Sequence, residues 1–346
     1  MKKIKTYFSL IPVIAGLILL TLGSCQKDNS GIPDLKTGTP VFGAVTPLEA
    51  AGGSVVTVTG TGLGNITGII FEKDSIPTSI NPTLNTETAI LFRVPDTAIG
   101  GPQNIILTNA DGKSISVPFK VIALPIINSV YPTDFQAGTT ITITGNNFEE
   151  TTKVIIDGTT EEATIVSKEK KKLVITMPSS AVNRGFLNIT NVSGTSVSTI
   201  EMVNVDKAVQ VFTDALVNGF ESWSWGGTFT PTTDFAVTGT SSMQAAFDPA
   251  GSWGGMQLGN GGSIDITGCT YFAFWAKADE EIKIQYNLNW VGWTEFTIPA
   301  GGAWTYFKID LTTSDLYKSL TSINNVTYQI MGDGKTAYFD NIVFVK

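Results

Sequence analysis

Val55-Val56-Thr57-Val58-Thr59-Gly60 and Thr140-Ile141-Thr142-Ile143-Thr144-Gly145 are the same strand written twice, 85 positions apart. β-Branched residues alternate along both runs, as on a half-buried strand, and each run stops at a turn, Gly60-Thr61-Gly62 or Gly145-Asn146-Asn147. The copy extends on both sides. Pro40-Val41, Thr46-Pro47, Gly53 and Leu63 return at the same offset as Pro125-Ile126, Tyr131-Pro132, Gly138 and Phe148. Val94-Pro95 answers to Met177-Pro178 late in each repeat, and Asn109-Ala110-Asp111-Gly112 to Asn191-Val192-Ser193-Gly194 at a hairpin-like turn. The period predicts two small β-sandwiches in tandem, over residues 40–122 and 123–205. Both are poor in aromatics and carry no convergent polar cluster, so they read as spacers, with a protein–protein interface on one of them the alternative.

The remaining segment, 206–346, differs in kind. All seven tryptophans of the chain fall within it: Trp223, Trp225, Trp253, Trp275, Trp290, Trp293 and Trp304. Its strands also alternate, with Ile282, Ile284, Tyr286 and Leu288 on one face and Lys283, Gln285, Asn287 and Asn289 on the other. The first face predicts a core; the second is rich in amides, which offer the paired donors and acceptors that sugar hydroxyls need. That row runs into Trp290-Val291-Gly292-Trp293, and Trp253 stands on a glycine-rich loop at Ser252-Trp253-Gly254-Gly255. Flat apolar rings beyond the needs of a small core point to a ligand with flat faces. Trp253, Trp290 and Trp293 are therefore the leading platforms and Trp223 a fourth, with Gln285, Asn287 and Asn289 as polar contacts. Trp225, Trp275 and Trp304 are assigned to holding the sandwich together.

Composition removes whole classes of function. The chain of 346 residues has no histidine, which excludes Ser-His-Asp triads, histidine acid–base chemistry and histidine-ligated metals. Its formal net charge is −8, and the only basic tract, residues 168–172, is interrupted by Glu169 and predicts a solvated turn. Nucleic acid is not an expected partner. Of two cysteines, Cys269 sits beside Thr267, Gly268 and Tyr271 and predicts a small buried apolar group.

The other, Cys25, closes a leader. Lys2, Lys3 and Lys5 precede an apolar run over residues 10–22, too short for a comfortable membrane span, and Leu22-Gly23-Ser24-Cys25 follows. Residues 1–24 thus predict a signal peptide ending in a lipobox, resembling those of bacterial lipoproteins, with Cys25 the acylated first residue and outer-membrane lipid its partner. Gln26-Lys27-Asp28-Asn29-Ser30 resembles the export signal that sends lipoproteins of Bacteroidetes-type bacteria to the outer surface. Residues 25–39 have little to bury and predict a flexible tether.

The repeated residues resemble the IPT/TIG family of immunoglobulin-like modules. Segment 206–346 resembles carbohydrate-binding modules of the β-jelly-roll type. That likeness is carried by Asp214 to Gly226, Thr238-Gly239-Thr240-Ser241-Ser242-Met243, Trp253-Gly254-Gly255 and the closing Ala337-Tyr338-Phe339-Asp340-Asn341-Ile342-Val343-Phe344. The fold class implied is all-β: two immunoglobulin-like sandwiches followed by a larger jelly roll. In several such families the acid of the closing strand joins an early acidic residue around a structural calcium. Asp340 matches that position, but no partner residue is assigned, and capping of a turn or pairing with backbone is an equal alternative.

The whole order resembles the surface glycan-binding lipoproteins of Bacteroidetes-type polysaccharide-uptake systems. The resemblance implies a non-catalytic protein, without a cofactor, that captures polysaccharide and presents it to an outer-membrane transporter; a β-glucan is the favoured ligand. Two other classes stay open. One is an adhesin for protein or host glycoconjugate. The other is a glycoside hydrolase, which needs two carboxylates held across a groove; Glu221, Asp234, Asp248, Glu280, Glu281 and Glu295 are present, but none sits in a recurring hydrolase motif.

Overall fold

A computed structural model of the chain describes residues 35–249 and 253–346. The expected leader, Cys25 and most of the tether lie outside the described residues. What is described is all-β, with short 3₁₀ turns between strands, in two compact units that meet in sequence at Ile122 and Ala123.

In the first unit Val55–Thr61 is the central strand of a sheet, flanked by Val41–Thr46 and Ala89–Arg93. Val56 and Val58 point inward and are fully buried, while Val55 and Thr59 face out. Across the core lies a five-stranded sheet whose Phe71 meets Phe92 and Phe119 edge-on at 6.4 and 6.1 Å between ring centroids. The second repeat centres its copy of that strand in the same way, but in a four-stranded sheet, and its remaining strands form two three-stranded sheets. Ile141 and Ile143 are fully buried at the centre of a sheet ordered Thr164–Lys168, Lys172–Thr176, Thr140–Asn146, Ile126–Tyr131. The lysine-rich tract forms the hairpin turn between the first two of these strands.

The terminal sandwich pairs a six-stranded sheet with a five-stranded one. The first is ordered Gly227–Thr232, Ser242–Phe247, Thr336–Val345, Tyr271–Lys277, Thr305–Asp310, and Val209–Phe212 also pairs with Thr336–Val345. Phe272, Phe274, Phe339 and Phe344 project from it into the core. Each such buried aromatic contributes roughly 2–3 kcal/mol of burial free energy. Phe274 stacks on Phe307 at 5.1 Å with an interplanar angle of 17°. Cys269 is half-buried against this core.

The opposite side of the six-stranded sheet is not solvated throughout. Strand alternation turns Ala273 and Trp275 away from the sandwich core, and there they meet the second repeat. Trp275 is buried as expected, but its indole N–H donates to Asp134 Oδ2 at 3.0 Å and its ring meets Tyr131 edge-on at 5.7 Å. Val203 and Val205 pack with Ala273, Val343 and Val345 in a small apolar layer between the two sandwiches. Trp304 is half-buried outside the core, 5.9 Å from the Lys277 ammonium, which also lies over the Phe235 ring at 3.4 Å.

Candidate functional site

The five-stranded sheet runs Phe220–Ser222, Gly255–Asp265, Ser322–Ile330, Ile282–Leu288, Thr294–Ile298. Met256, Leu258, Val326, Tyr328, Ile330, Ile282, Ile284, Tyr286, Leu288 and Ile298 fill its inner face. Alternation therefore places the intervening residues on the outer face, in rows fixed by strand register. One row is Gly255, Gln329, Gln285 and Glu295; the next is Gln257, Thr327 and Asn287; a third begins with Gly259 and Asn325.

Two of these positions are glycine for a steric reason. The Trp223 ring lies on Gly259 and the Trp225 ring on Gly255, so close that a methyl group at either glycine would collide with the indole. The backbone of 223–225 is pinned beside the same strand, through Trp223 N–H to Gln257 C=O at 2.9 Å and Trp225 N–H to Gly255 C=O at 3.0 Å. Four residues of strand separate the two glycines, about 13 Å at ~3.3 Å per residue. Trp225, expected to help hold the sandwich together, lies instead half-buried on the outer face, and its indole N–H donates to Trp253 C=O at 2.9 Å. Local sequence gives no sign of this, because the space for the ring is made by a glycine thirty residues away.

The other rings close the two ends of the face. Trp253 precedes Gly255 and is 57% exposed. At the opposite end, the loop after Leu288 carries Trp290, 53% exposed, and Trp293, with ring centroids 5.8 Å apart and planes at 78°. Trp223, 46% exposed, lies toward this second end. The four expected platforms are all exposed, Trp223 on this face and the other three in the loops at its two ends, while Trp225 is half-buried on the same face.

The amide row behaves differently from expectation. Gln285 is half-exposed and donates to Gln329 Oε1 at 2.7 Å, and Gln329 in turn donates to Trp253 C=O at 3.1 Å. Asn287 is 1% exposed and gives its amide to Gly292 C=O at 2.8 Å, so it is not a surface contact for a ligand. Asn289 is equally engaged: its Nδ2 donates to Ser322 C=O at 2.8 Å, and its Oδ1 accepts from Asn324 N–H and Asn325 N–H at 2.9 and 3.2 Å. The open polar strip consists of Gln257, Gln285, Gln329 and Glu295, of which the sequence reading singled out Gln285 alone as a contact. Its signal was present as Gly255-x-Gln257-x-Gly259 and Asn325-x-Thr327-x-Gln329, two alternating patterns with nothing charged on the polar side.

Asp340 lies elsewhere, fully buried near the second repeat. Its oxygens accept Val237 N–H and Asn341 N–H, both at 2.7 Å, and burial pushes its carboxyl up to about 7. Donors aimed at both oxygens suit a carboxyl that caps backbone better than one that holds a cation. Among the described residues no cluster of three or more His, Cys, Asp or Glu is arranged to hold a metal ion.

Residues 125–202 match the IPT/TIG domain family. This segment is an IPT/TIG domain. Cyclomaltodextrin glucanotransferase of Paenibacillus macerans is 36% identical to the chain over 96 residues; the match spans 27% of this chain and 14% of that enzyme's length. A surface glycan-binding protein from Prevotella bryantii is 17% identical, with 90% of this chain and 99% of that one covered and a TM-score of 0.51. A second, from a xyloglucan utilization locus of Bacteroides uniformis, is 18% identical, with 89% and 100% covered and a TM-score of 0.44. The likeness to the Prevotella protein establishes a shared fold. In this chain the IPT/TIG domain packs against the six-stranded sheet of the terminal sandwich, opposite the five-stranded sheet, and so does not cover the outer face of the latter.

Proposed function

We propose that the outer face of the five-stranded sheet binds a polysaccharide chain and performs no chemistry on it. The observation that carries this is the arrangement of Trp225 and Trp253 at one end of the face, Trp223, Trp290 and Trp293 at the other, and an amide strip of Gln257, Gln285 and Gln329 between them. A ring that covers one sugar face hides roughly 60 Å² of apolar surface, about 1.5 kcal/mol at ~25 cal/mol per Å². Two or three such contacts with amide hydrogen bonds reach the range between about 4 and 8 kcal/mol that separates millimolar from micromolar binding. A single sugar engages one ring and binds poorly. A chain extended over the ~13 Å between the glycines meets both ends, which favours a flat, extended polymer such as a β-linked glucan.

Geometry speaks against hydrolysis at this face. Glu295 and Glu221 occupy strands on opposite edges of the five-stranded sheet, about 19 Å apart at ~4.8 Å per strand, whereas a glycosidase pair stands within about 10 Å.

The fuller reading is a surface lipoprotein of a glycan-uptake system, anchored through acylated Cys25, with the two repeats as spacers and a transporter complex as partner. Many copies on one membrane would gain avidity on one polymer. The test is affinity electrophoresis of the chain from Cys25 to Lys346 in gels containing mixed-linkage β-glucan, glucomannan, xylan or soluble starch. Retardation by at least one, abolished by Trp225→Ala together with Trp290→Ala, is expected. Unretarded migration in all of them would turn the reading toward a protein-binding adhesin.

A further inference from the structure

Trp253 and Trp290 share a backbone conformation that tryptophan ordinarily avoids. Their φ angles are +45° and +59°, in the left-handed region where a bulky side chain is strained. Among the described residues, every other non-glycine residue with positive φ is small and polar: Asn or Asp, which visit this region more readily, and the single Ser75. Asn289, immediately before Trp290, is one of them at +54°, so two consecutive residues are left-handed. Such a conformation persists only where surrounding contacts over-determine it.

Those contacts are identifiable. Around Trp290 the loop carbonyl of Gly292 accepts two hydrogen bonds from buried side chains, Asn287 Nδ2 at 2.8 Å and Tyr317 Oη at 2.9 Å. The other side of the loop is held by Asn289, whose amide makes three bonds to the backbone of residues 322–325. Trp253 is held in the same manner, its carbonyl accepting from Trp225 Nε1 and Gln329 Nε2. A carbonyl with two side-chain donors fixes the peptide plane, and the plane sets the direction of the neighbouring ring.

We propose that Asn287, Asn289 and Tyr317 are positioning residues that hold Trp290 and Trp293 in their ligand-ready geometry before any ligand arrives. The inference rests on the polysaccharide-binding reading for its consequence and on the hydrogen bonds alone for its geometry. A loop set in advance loses less conformational freedom on binding, so affinity depends on side chains the ligand never touches. It also gives Asn287 and Asn289 a role that their position near the two tryptophans does not disclose: they serve the rings rather than the sugar.

The Trp290–Trp293 pair supplies a readout that needs no ligand. Two indoles 5.8 Å apart at 78° couple their transitions and give an exciton couplet in circular dichroism, which Trp293→Phe should abolish and so identify. In the full chain, Asn289→Gly keeps the left-handed preference and deletes the three bonds, while Asn289→Asp keeps the two acceptor bonds. Tyr317→Phe removes a single donor. The couplet is expected to fall by more than half in Asn289→Gly, less in Tyr317→Phe, and to recover in Asn289→Asp. Affinity for mixed-linkage β-glucan, or for whichever polysaccharide retards the wild type, should weaken by about tenfold in Asn289→Gly. Val211→Ala, a core change away from the face, lowers the melting temperature and should leave couplet and affinity as they are. An unchanged couplet in Asn289→Gly overturns the proposal, as does a lost couplet with undiminished affinity in a chain that binds. If the wild type binds no polysaccharide, the binding reading fails by itself, and the couplet still decides whether these residues position the rings.

Discussion

Trp275 donates its indole N–H to Asp134 at 3.0 Å, joining residues 141 positions apart across the junction of the IPT/TIG domain and the terminal sandwich. The same Asp134 Oδ2 accepts from Asn341 Nδ2 at 3.2 Å, and all three residues are buried. The contact explains why Ala123–Lys346 is one compact unit. It also means that cutting at residue 206 would expose Trp275, Ala273, Val343 and Val345 together. A 123–346 fragment is expected to unfold cooperatively, while 206–346 should be less stable and prone to aggregate; equal melting temperatures for the two would show that the junction contributes nothing. Trp275→Phe removes the donor and also shrinks a buried ring packed on Tyr131 and Tyr306, so it should cost at least the roughly 1–3 kcal/mol of a buried acceptor left short of a partner, with a cavity penalty added.

The junction should respond to pH. Burial raises the carboxyls of Asp134 and Asp340 from the ordinary 3.8 to about 7, against the lowering effect of their hydrogen bonds. Trp275, Asn341 and the Tyr306 hydroxyl face Asp134; backbone N–H groups of Val237, Thr238 and Asn341 face Asp340, with repulsion from Asp214 added. A carboxyl whose folded pKa is raised binds its proton more tightly in the native state. Its contribution to stability is fully present below about pH 4 and is lost as pH rises through 7. The full swing is on the order of 4 kcal/mol per group. Urea unfolding of 123–346 at intervals from pH 4 to 8 should show the decline, and Asp134→Asn should remove about half of it. An unaltered slope in that variant would locate the titrating group elsewhere.

The ends of the binding face should act together. Trp253→Ala and Trp290→Ala each remove an exposed ring and are expected to weaken polysaccharide binding about tenfold, the equivalent of one ring at ~1.5 kcal/mol. Both should leave the melting temperature within a few degrees of wild type, because neither ring is in the core. Calorimetry with oligosaccharides of increasing length should then show the loss only for chains long enough to reach both ends. A loss that is equal for the shortest binding oligosaccharide would mean that the two ends are separate sites.

How much of this was legible beforehand depends on the distance over which residues act. Val56, Val58, Ile141 and Ile143 announce their burial through period-2 alternation, and the 85-residue offset announces the duplication. The inward face of Ile282–Leu288 was equally plain. These are local patterns. The exposure of Trp253, Trp290 and Trp293 also followed from local cues, a glycine-rich loop for the first and the end of an amide row for the other two. Trp225, Asn287 and Asn289 were misread because their settings are made by Gly255, Gly292 and Ser322, through contacts that depend on strand register and loop path. Trp275 was rightly expected to be buried, yet its partner belongs to another sandwich. Nothing in Tyr271-Phe272-Ala273-Phe274-Trp275 names Asp134.

The paired glycines offer the sharpest test of the face as a surface. Neither Gly255 nor Gly259 has a positive φ, so it is the rings of Trp225 and Trp223 lying on them that require glycine there. Gly259→Val should therefore be tolerated by the strand, whose β-branched preference it satisfies, while lifting Trp223 from the sheet. The expected result is a fluorescence shift from an indole moved further into water, binding weakened by about tenfold, and little change in melting temperature. Trp223→Ala should bind as weakly as Gly259→Val, and the double variant no worse than either alone, because both act on one ring. Additive losses would show that Gly259 matters to the ligand directly, through close approach of a sugar to the bare backbone, and not as the seat of Trp223.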